Sequence, residues 1–349
     1  MAYTPVDKSD DYFNTKLYTG NGYPTSGTQS ITGVGFQPDL IWIKDRDTSG
    51  NSHIWTDSVR GNTKNIFSNL TNAESTKTDR VTSFDSDGFS LGADASQGVN
   101  DNGSSQVSWN WLAANGTASN TDGSITSTVS ANTTSGFSIV SFTGTGSAAT
   151  VGHGLGKEVD WIIIKNRNDS VLWSGYHRSV GATKYISINS SGAAATSSGM
   201  WNNTDPTSSV FSVGASNNTN DSGDGMIAYC FASIKGFSKF NKYTGNGSTN
   251  GPFVYTGFKP AWLMVKRTDS TNNWLMMDNK RNSANPMGEE LKADESSAGN
   301  TATRWDFLSN GFKLRNGGAA VNGSGASYIY MAFAENPFVT STGIPACAR

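Results

Sequence analysis

The chain has 349 residues, more than the roughly 250–300 over which one hydrophobic core keeps growing, so two or three domains are expected. Only 15% of the residues are charged and the formal net charge is -2, which argues against binding driven by the phosphates of nucleic acids or of anionic membranes. Gly, Ser, Thr and Asn favour turns and short strands over helices, so the composition predicts an all-β protein.

The N-terminal sequence lacks the apolar stretch of a signal peptide, and no window reaches the ~18 apolar residues of a membrane span. We therefore expect synthesis in a cytoplasm without export by the usual route.

Three segments of the chain open with an aromatic residue followed by a Gly-x-Gly turn. Glycine adopts positive φ at low cost, so each segment predicts a tight reversal after a short strand. A dinucleotide-binding fingerprint also contains Gly-x-Gly, but it needs a third glycine and a following helix, which these segments lack. The three turns are Tyr18–Gly22, Phe142–Gly146 and Tyr243–Gly247.

A run of apolar residues that ends in lysine follows each turn. Such a run, without polar alternation, predicts a central strand that is covered on both faces, as in a sandwich interior. We expect each lysine at the rim, with its stem on apolar surface and its ammonium in water; a ligand contact is the alternative. The runs are Asp39–Lys44, Asp160–Lys165 and Ala261–Lys266.

Further strands recur in the same order after each lysine, and each set ends in an apolar closing strand. Short strands punctuated by Gly and Asn, with a period of about 100 residues, indicate antiparallel β-sandwiches of jelly-roll type. The closing strands are Val107–Ala113, Met226–Ala232 and Tyr328–Ala334.

The repeat divides the chain into three tandem β-sandwich domains. The Ser/Thr/Asn-rich tract before the second repeat is predicted as a linker; alternatively, Ile125 and Val129 place an extended strand there, added to the edge of a neighbouring sheet. The predicted boundaries are an N-terminal arm (1–11), repeat 1 (12–116), the linker (117–135), repeat 2 (136–236), repeat 3 (237–338) and a C-terminal tail (339–349).

The sequence carries no recognisable catalytic constellation, so we predict a protein that is not an enzyme and has no cofactor. The histidines, His53, His153 and His177, are not spaced as metal ligands. A glycosidase needs two carboxylates that face one cleft, and four aspartates are candidates if the fold brings them together. These are Asp57, Asp85, Asp87 and Asp278.

Two Asn/Asp-rich loops, Asn100–Gly103 and Asn217–Asp224, offer the oxygen ligands that calcium prefers. They lack the spacing of an EF-hand, and Asn-Gly or Asp-Gly between strands is ordinary hairpin chemistry, so we interpret them as turns. The two cysteines, Cys230 and Cys347, are interpreted as a buried thiol and an incidental terminal thiol.

A glycan or surface-contact site is the most plausible binding function. The segment Trp201, Asn202, Asn203 and Asp205 places an aromatic ring beside amide and carboxylate groups in an insertion of repeat 2. The alternative is that Trp201 closes an open end of the sandwich.

The repeated strings together resemble a family of tail-fibre and other virion structural proteins of bacteriophages, especially phages of marine bacteria. The resemblance rests on the Tyr-Thr-Gly-Asn-Gly turns, on the lysine strands followed by arginine, on Tyr328–Phe338 and on the terminal Gly343–Arg349. It covers nearly the whole chain, from about Tyr12 to Phe338.

The resemblance implies a non-enzymatic structural protein on the exterior of a virion, assembled in the host cytoplasm as part of the tail fibre or attachment apparatus. The implied partners are further copies of the chain, with a trimer as the expected oligomer, other virion proteins and a host surface glycan. Capsid decoration, as a head fibre, and a tail collar are the alternatives, and a polysaccharide-degrading tailspike is a further one.

Overall fold

The computed structural model describes residues 3–96 and 98–345, and most of its regular structure is antiparallel β-sheet. The all-β prediction is confirmed. Helix in the described residues is limited to a 3-10 turn at Ser9–Asp11 and two single-turn helices, α1 (Ser198–Trp201) and α2 (Asn217–Asn220).

The described residues of the first repeat form nine strands in two sheets. They are β1 (Phe13–Thr19), β2 (Gln29–Thr32), β3 (Leu40–Asp45), β4 (Ile54–Asp57), β5 (Lys64–Phe67), β6 (Ser75–Thr76), β7 (Val81–Asp85), β8 (Gly88–Leu91) and β9 (Ser105–Trp111). The main sheet has the order β1-β9-β3-β4-β5-β6, and a small sheet has the order β2-β8-β7.

The second repeat and the tract before it hold ten strands. They are β10 (Ala118–Asn120), β11 (Ser127–Asn132), β12 (Phe137–Thr143), β13 (Ala149–Gly152), β14 (Trp161–Asn166), β15 (Ser174–His177), β16 (Lys184–Ser187), β17 (Ala195–Thr196), β18 (Val210–Val213) and β19 (Gly225–Phe231). The main sheet has the order β10-β11-β12-β19-β14-β15-β16-β17, and β13 pairs with β18.

The third repeat holds eight strands in one sheet. They are β20 (Ser238–Thr244), β21 (Phe253–Tyr255), β22 (Phe258–Arg267), β23 (Leu275–Asp278), β24 (Met287–Lys292), β25 (Asn300–Leu308), β26 (Gly311–Leu314) and β27 (Ser327–Pro337). Their order is β20-β27-β22-β23-β24-β25-β26-β21.

The same strand neighbours therefore recur in all three segments: first strand, closing strand, lysine strand, then two further strands in succession. The lysine strands β3, β14 and β22 each pair with their closing strands β9, β19 and β27. The boundaries of the three domains remain a prediction, because the three repeats bury side chains in one shared core and so are not separated by their packing.

The tract predicted as a linker at 117–135 contains β10 and β11. Strand β11 pairs with β12, so that Val129 lies opposite Val140, and Ile125 forms an isolated parallel bridge to Val151. This tract therefore matches the alternative interpretation, in which an extended segment adds to the edge of a sheet. Strand pairing satisfies the hydrogen-bonding groups of its backbone.

The two faces of each lysine strand enter different cores. In β3, Ile41 and Ile43 belong to a cluster made only of first-repeat residues, whereas Leu40 and Trp42 belong to a central cluster. Strands β14 and β22 divide their side chains in the same way. Both faces are buried, as expected, but only one face is covered by its own repeat.

The central cluster draws residues from all three repeats. Trp111, Phe231 and Phe333 occupy equivalent positions in β9, β19 and β27, and their ring centroids are 5.8–6.5 Å apart in each pairing. Because each ring contacts the other two, they form a triangle in which every repeat contacts the next.

Main-chain hydrogen bonds join the repeats in the same cyclic order. The amide of Glu74 donates to the carbonyl of Arg167 at 2.8 Å, which links repeats 1 and 2. Equivalent bonds run from Ala194 to Thr268 at 2.9 Å and from Gly299 to Arg46 at 2.8 Å. The three repeats therefore close into a ring.

Candidate functional site

The three repeated lysines are buried, and the prediction that their ammonium groups lie in water at the rim is wrong. Lys44, Lys165 and Lys266 are each 0% exposed. Burial lowers the pKa of each ammonium from 10.5 to about 8. A buried ammonium needs acceptors close by, and main-chain carbonyls provide them.

Two of the lysines bind across a boundary between repeats. Lys44 Nζ donates to the carbonyl of its neighbour Asp45 and, at 3.4 Å, to that of Ser296 in repeat 3. Lys266 Nζ donates to the carbonyl of Ser191 in repeat 2 at 3.0 Å. Lys165 instead donates to carbonyls of its own loop. Their acceptors are backbone groups of this chain, which makes these lysines structural ties.

A ring nitrogen before the fourth strand of each repeat forms a second set of ties. Trp173 Nε1 donates to the carbonyl of Phe67, and Trp274 Nε1 donates to that of Ser187, both at 2.9 Å. At the equivalent position His53 Nε2 lies 3.0 Å from the carbonyl of Lys292. The three acceptors are the last residues of β5, β16 and β24, so this contact repeats at all three junctions.

A buried ion pair lies where repeat 2 meets repeat 1. Arg60 Nε donates to Asp57 Oδ2 at 2.5 Å, and both side chains are fully buried. The hydroxyl of Tyr229, from β19 of repeat 2, donates to the same oxygen at 2.7 Å. Burial alone would lower the pKa of Arg60, but Asp57, Tyr229 and Glu74 together raise it. The guanidinium therefore stays charged.

The same ion pair recurs where repeat 1 meets repeat 3. Arg281 Nε donates to Asp278 Oδ2 at 2.6 Å, and Trp109 Nε1 donates to that oxygen at 3.0 Å. Trp109 occupies the position in β9 that Tyr229 occupies in β19. These two junctions thus each combine an Asp–Arg pair from one repeat with an aromatic donor from the next.

The third junction replaces all three of these residues. His177 stands at the position of Asp57, Val180 at that of Arg60, and Met331 at that of Tyr229. Burial lowers the pKa of His177 to about 4, so its ring is neutral near pH 7. Where the charged pair is absent, the aromatic hydrogen-bond donor is absent too, and the buried His177 Nε2 has no hydrogen-bond partner among the described residues.

A partly buried ion pair lies at the outer end of the first of these junctions. Glu74 accepts hydrogen bonds from Arg167 Nε and Nη2, both at 2.9 Å, and from Arg60 at 3.1 Å. Burial alone would raise the pKa of Glu74. The two arginines lower it by more than burial raises it, so the pKa of this carboxyl lies below its usual range. The arginine after the lysine strand thus pairs with the neighbouring repeat.

A buried asparagine, for which the sequence predicted no role, holds each Gly-x-Gly turn. Asn220 Oδ1 accepts from the amide of Thr145 at 2.8 Å, and Asn322 Oδ1 accepts from that of Asn246 at 2.8 Å. Asn100 does the same for Asn21 at 2.9 Å. Their amide groups donate back to loop carbonyls. In the sequence, the sign of this role is that an Asn recurs near the end of each Asn/Gly-rich loop.

The predicted glycan site does not present its aromatic ring. Trp201 is 1% exposed and packs edge-on against Tyr176 at 5.8 Å in the core of repeat 2. Asn202 and Asn203 both have φ near +50° in the turn that follows α1, and Asp205 accepts hydrogen bonds from Tyr176 and from the amide of Ala182. A ring without an open face cannot stack on a sugar, so this proposed role is corrected to a packing role.

The four candidate carboxylates lie in separate hydrogen-bond sets. Asp57 and Asp278 belong to different junctions, Asp85 accepts from Ser83 and Ser90, and Asp87 accepts from the amides of Gly33 and Gly35. No hydrogen bond of the described residues links two of these aspartates.

One acidic cluster could hold a cation. Carboxylate oxygens of Asp169, Asp221 and Asp224 lie within 4.8 Å of one another beside the predicted loop Asn217–Asp224. It is exposed or half-buried, and Asp224 already accepts from Asn166. Cys230 is fully buried, and burial raises its pKa; Cys347 lies outside the described residues.

These contacts define an all-β protein whose three repeats are locked together by buried polar ties. None of its described helices is long and apolar enough to cross a membrane. The chain belongs to the family described as Domain of unknown function (DUF7483), whose model matches residues 8–337 and so spans all three repeats. No curated protein and no solved structure matches the chain.

Proposed function

We propose that the chain is a non-enzymatic structural protein on the exterior of a bacteriophage particle, in the tail-fibre or attachment apparatus that contacts the host surface. In this proposal it assembles in the host cytoplasm with further copies of itself, as a trimer, and with other virion proteins. The family resemblance of the repeated strings supports the location.

One observation of the structure supports a mechanical role. Two buried ion pairs, Asp57 with Arg60 and Asp278 with Arg281, lie at joints between repeats and accept hydrogen bonds from the neighbouring repeat. Such groups fix how the repeats are arranged, because breaking one partner leaves a buried charge unpaired. A protein that must hold its shape outside a cell benefits from joints of this kind.

The location is tested by labelling intact particles with an antibody raised against the purified chain. Gold label at the tail tip or fibres supports the proposal, whereas label over the head indicates capsid decoration and label at the neck indicates a collar. Intact particles that carry no label would remove the virion location altogether.

Attachment and enzymatic activity are tested on the purified chain. Soluble protein should block adsorption of the phage in a concentration-dependent manner. It should also leave the chain length of host polysaccharide unchanged after prolonged incubation, as followed by size-exclusion chromatography. Shortened polysaccharide would replace the proposal with a depolymerising tailspike.

A further inference from the structure

The three repeats differ sharply on one outward face. In repeat 3, β21 pairs with β26 so that Phe253 and Tyr255 point outward on either side of the buried Val254. Phe253 is 44% exposed and Tyr255 is 53% exposed, whereas most large apolar side chains of the described residues are covered. Residues two apart on a strand are about 7 Å apart on one face, so the two rings lie side by side and form an exposed aromatic strip.

The equivalent face of the other repeats is small and polar. The register of β2 with β8 places Ser30 and Thr32 where repeat 3 has Phe253 and Tyr255. In repeat 2 these positions are Thr150 and Gly152, and Thr150 is bonded to Ser124 of the neighbouring segment. The aromatic strip is therefore specific to repeat 3 and is not a requirement of the sandwich.

The two rings are held in place from below. A Cβ atom at Gly311 would stand 2.9 Å from the Phe253 ring, so this ring lies directly on bare backbone. Tyr3 donates its hydroxyl to the carbonyl of Gly257 at 3.2 Å, and a Cβ there would come within 3.4 Å of the Tyr255 hydroxyl. Ordered rings lose little side-chain entropy when a ligand binds, which favours binding.

Lysines surround the aromatic strip. Lys239 Nζ lies 5.1 Å from the centre of the Tyr255 ring and donates to the Tyr255 carbonyl at 3.0 Å. Lys313 lies directly across from Phe253 in β26 and donates to the carbonyl of Gly251 at 2.9 Å. Lys235 Nζ lies 4.2 Å from the Tyr3 ring.

The acceptors shown for these three ammonium groups are carbonyls and rings rather than carboxylates. Burial alone lowers the pKa of Lys239, with no acidic group acting against it. The one carboxylate directly across from Lys313, that of Asp306 in β25, is paired with Arg315 at 2.6 Å. The three lysines therefore leave this face with an excess of positive charge, and the complementary ligand is an anion.

We propose that this face of β21 and β26 binds an acidic polysaccharide. Aromatic rings pack on the C–H faces of sugar rings, and ammonium groups pair with the carboxylate or sulfate groups of the chain. The inference rests on the proposed attachment function and names the class of surface glycan that would be recognised. It assigns this role to Phe253 and Tyr255 and not to Trp201.

The test measures binding of the full chain to dextran sulfate, to alginate in calcium-free buffer and to neutral dextran by affinity electrophoresis. The triple variant Phe253→Ser, Tyr255→Thr and Lys313→Ser carries the residues of repeat 1 at the same positions, namely Ser30, Thr32 and Ser90, and should fold. We expect the wild type to bind the two acidic polymers and the variant to bind them on the order of tenfold more weakly.

A second variant, Lys239→Gln with Lys313→Gln, keeps both rings and should lose the preference for acidic over neutral polymer. Tyr23→Ser, which removes another exposed aromatic ring, should bind like the wild type. Absence of binding to both acidic polymers, equal binding to dextran, or unchanged binding by the triple variant would overturn the proposal. So would a wild-type dimer that dissociates in the triple variant, since the face would then join two copies.

The glycan assay uses no phage. Polysaccharide binding without any block of adsorption would retain this surface and remove the attachment function. The opposite result would retain attachment and remove this surface.

Discussion

The hydroxyl of Tyr229 donates a hydrogen bond to the carboxylate of Asp57 at 2.7 Å, although the two residues belong to different repeats. Both side chains are buried, and Arg60 completes the set. This relationship shows how the chain specifies the arrangement of its repeats, because this hydrogen bond forms only when repeat 2 lies correctly against repeat 1.

Replacing Tyr229 with Phe tests this bond directly. The ring can keep its packing against Trp55, 4.9 Å away, while the buried carboxylate loses a donor. We expect the free energy of unfolding to fall by about 1–3 kcal/mol, measured by urea denaturation. Tyr23→Phe, at an exposed ring, is the control and should change it little. Equal stability of the two variants would mean that the bond contributes nothing.

The third junction shows how the first can be rebuilt without charge. Arg60→Val alone leaves Asp57 buried without its cation and should cost about 3–5 kcal/mol. Adding Asp57→His and Tyr229→Met reproduces the residues His177, Val180 and Met331. We expect the triple variant to be more stable than Arg60→Val, as measured by the denaturation midpoint. A triple variant that is still less stable would show that the junctions are not interchangeable.

The buried lysines predict a rise of stability with pH. Their pKa is about 8 in the folded chain and 10.5 in the unfolded one. Between these values the unfolded chain binds more protons, so the free energy of unfolding should increase, by about 1–2 kcal/mol per lysine from pH ~7.5 to ~9.5. Burial raises the pKa of Tyr18, Tyr229 and Tyr243 well above 10, so they oppose this rise only from about pH 10, where the tyrosines of the unfolded chain begin to ionise.

The variant with Lys44, Lys165 and Lys266 all replaced by Met should lose most of this pH dependence. Lys157→Met, at an exposed lysine, should retain it. Urea denaturation at several pH values measures both. A wild-type stability that falls steadily over this range would contradict the assignment of buried ammonium groups.

We expect a single Asn-to-Asp substitution to lower the free energy of unfolding strongly at the asparagines that hold the Gly-x-Gly turns. In Asn322→Asp the side chain keeps its acceptor for Asn246 but can no longer donate to the carbonyl of Ser248, 2.8 Å away. A buried acceptor without a partner and a new buried charge should lower the free energy of unfolding by about 2 kcal/mol or more. Asn336→Asp, at an exposed position, is the matched control for thermal unfolding.

Trp201 is expected to matter for stability and not for ligand binding. Trp201→Ala should lower the free energy of unfolding by about 3–5 kcal/mol, because a large buried ring is removed. Asn203→Gly should be neutral or slightly stabilising, since φ there is 51° and glycine adopts this value freely. Under conditions where the Trp201 variant remains folded, its affinity for dextran sulfate should equal that of the wild type.

The sequence by itself determined the all-β class, the repeated elements and their order. Gly-x-Gly turns, apolar runs and closing strands carry local signals, because backbone conformation and strand burial depend on residues close together in the chain. The apolar run of β3 correctly predicted a strand buried on both faces.

Only the tertiary structure decided what covers each face. The pattern of Leu40–Lys44 is the same whether a second sheet or another repeat lies on it, so the shared core could not be read from it. One of the two carbonyls that accept hydrogen bonds from the buried Lys44 ammonium belongs to Ser296 of repeat 3, which is distant in sequence. Trp201 and Tyr255 are both aromatic residues in variable segments, yet one is covered and the other is open. Exposure depends on which other segments fold over a residue, and that is a property of the whole chain.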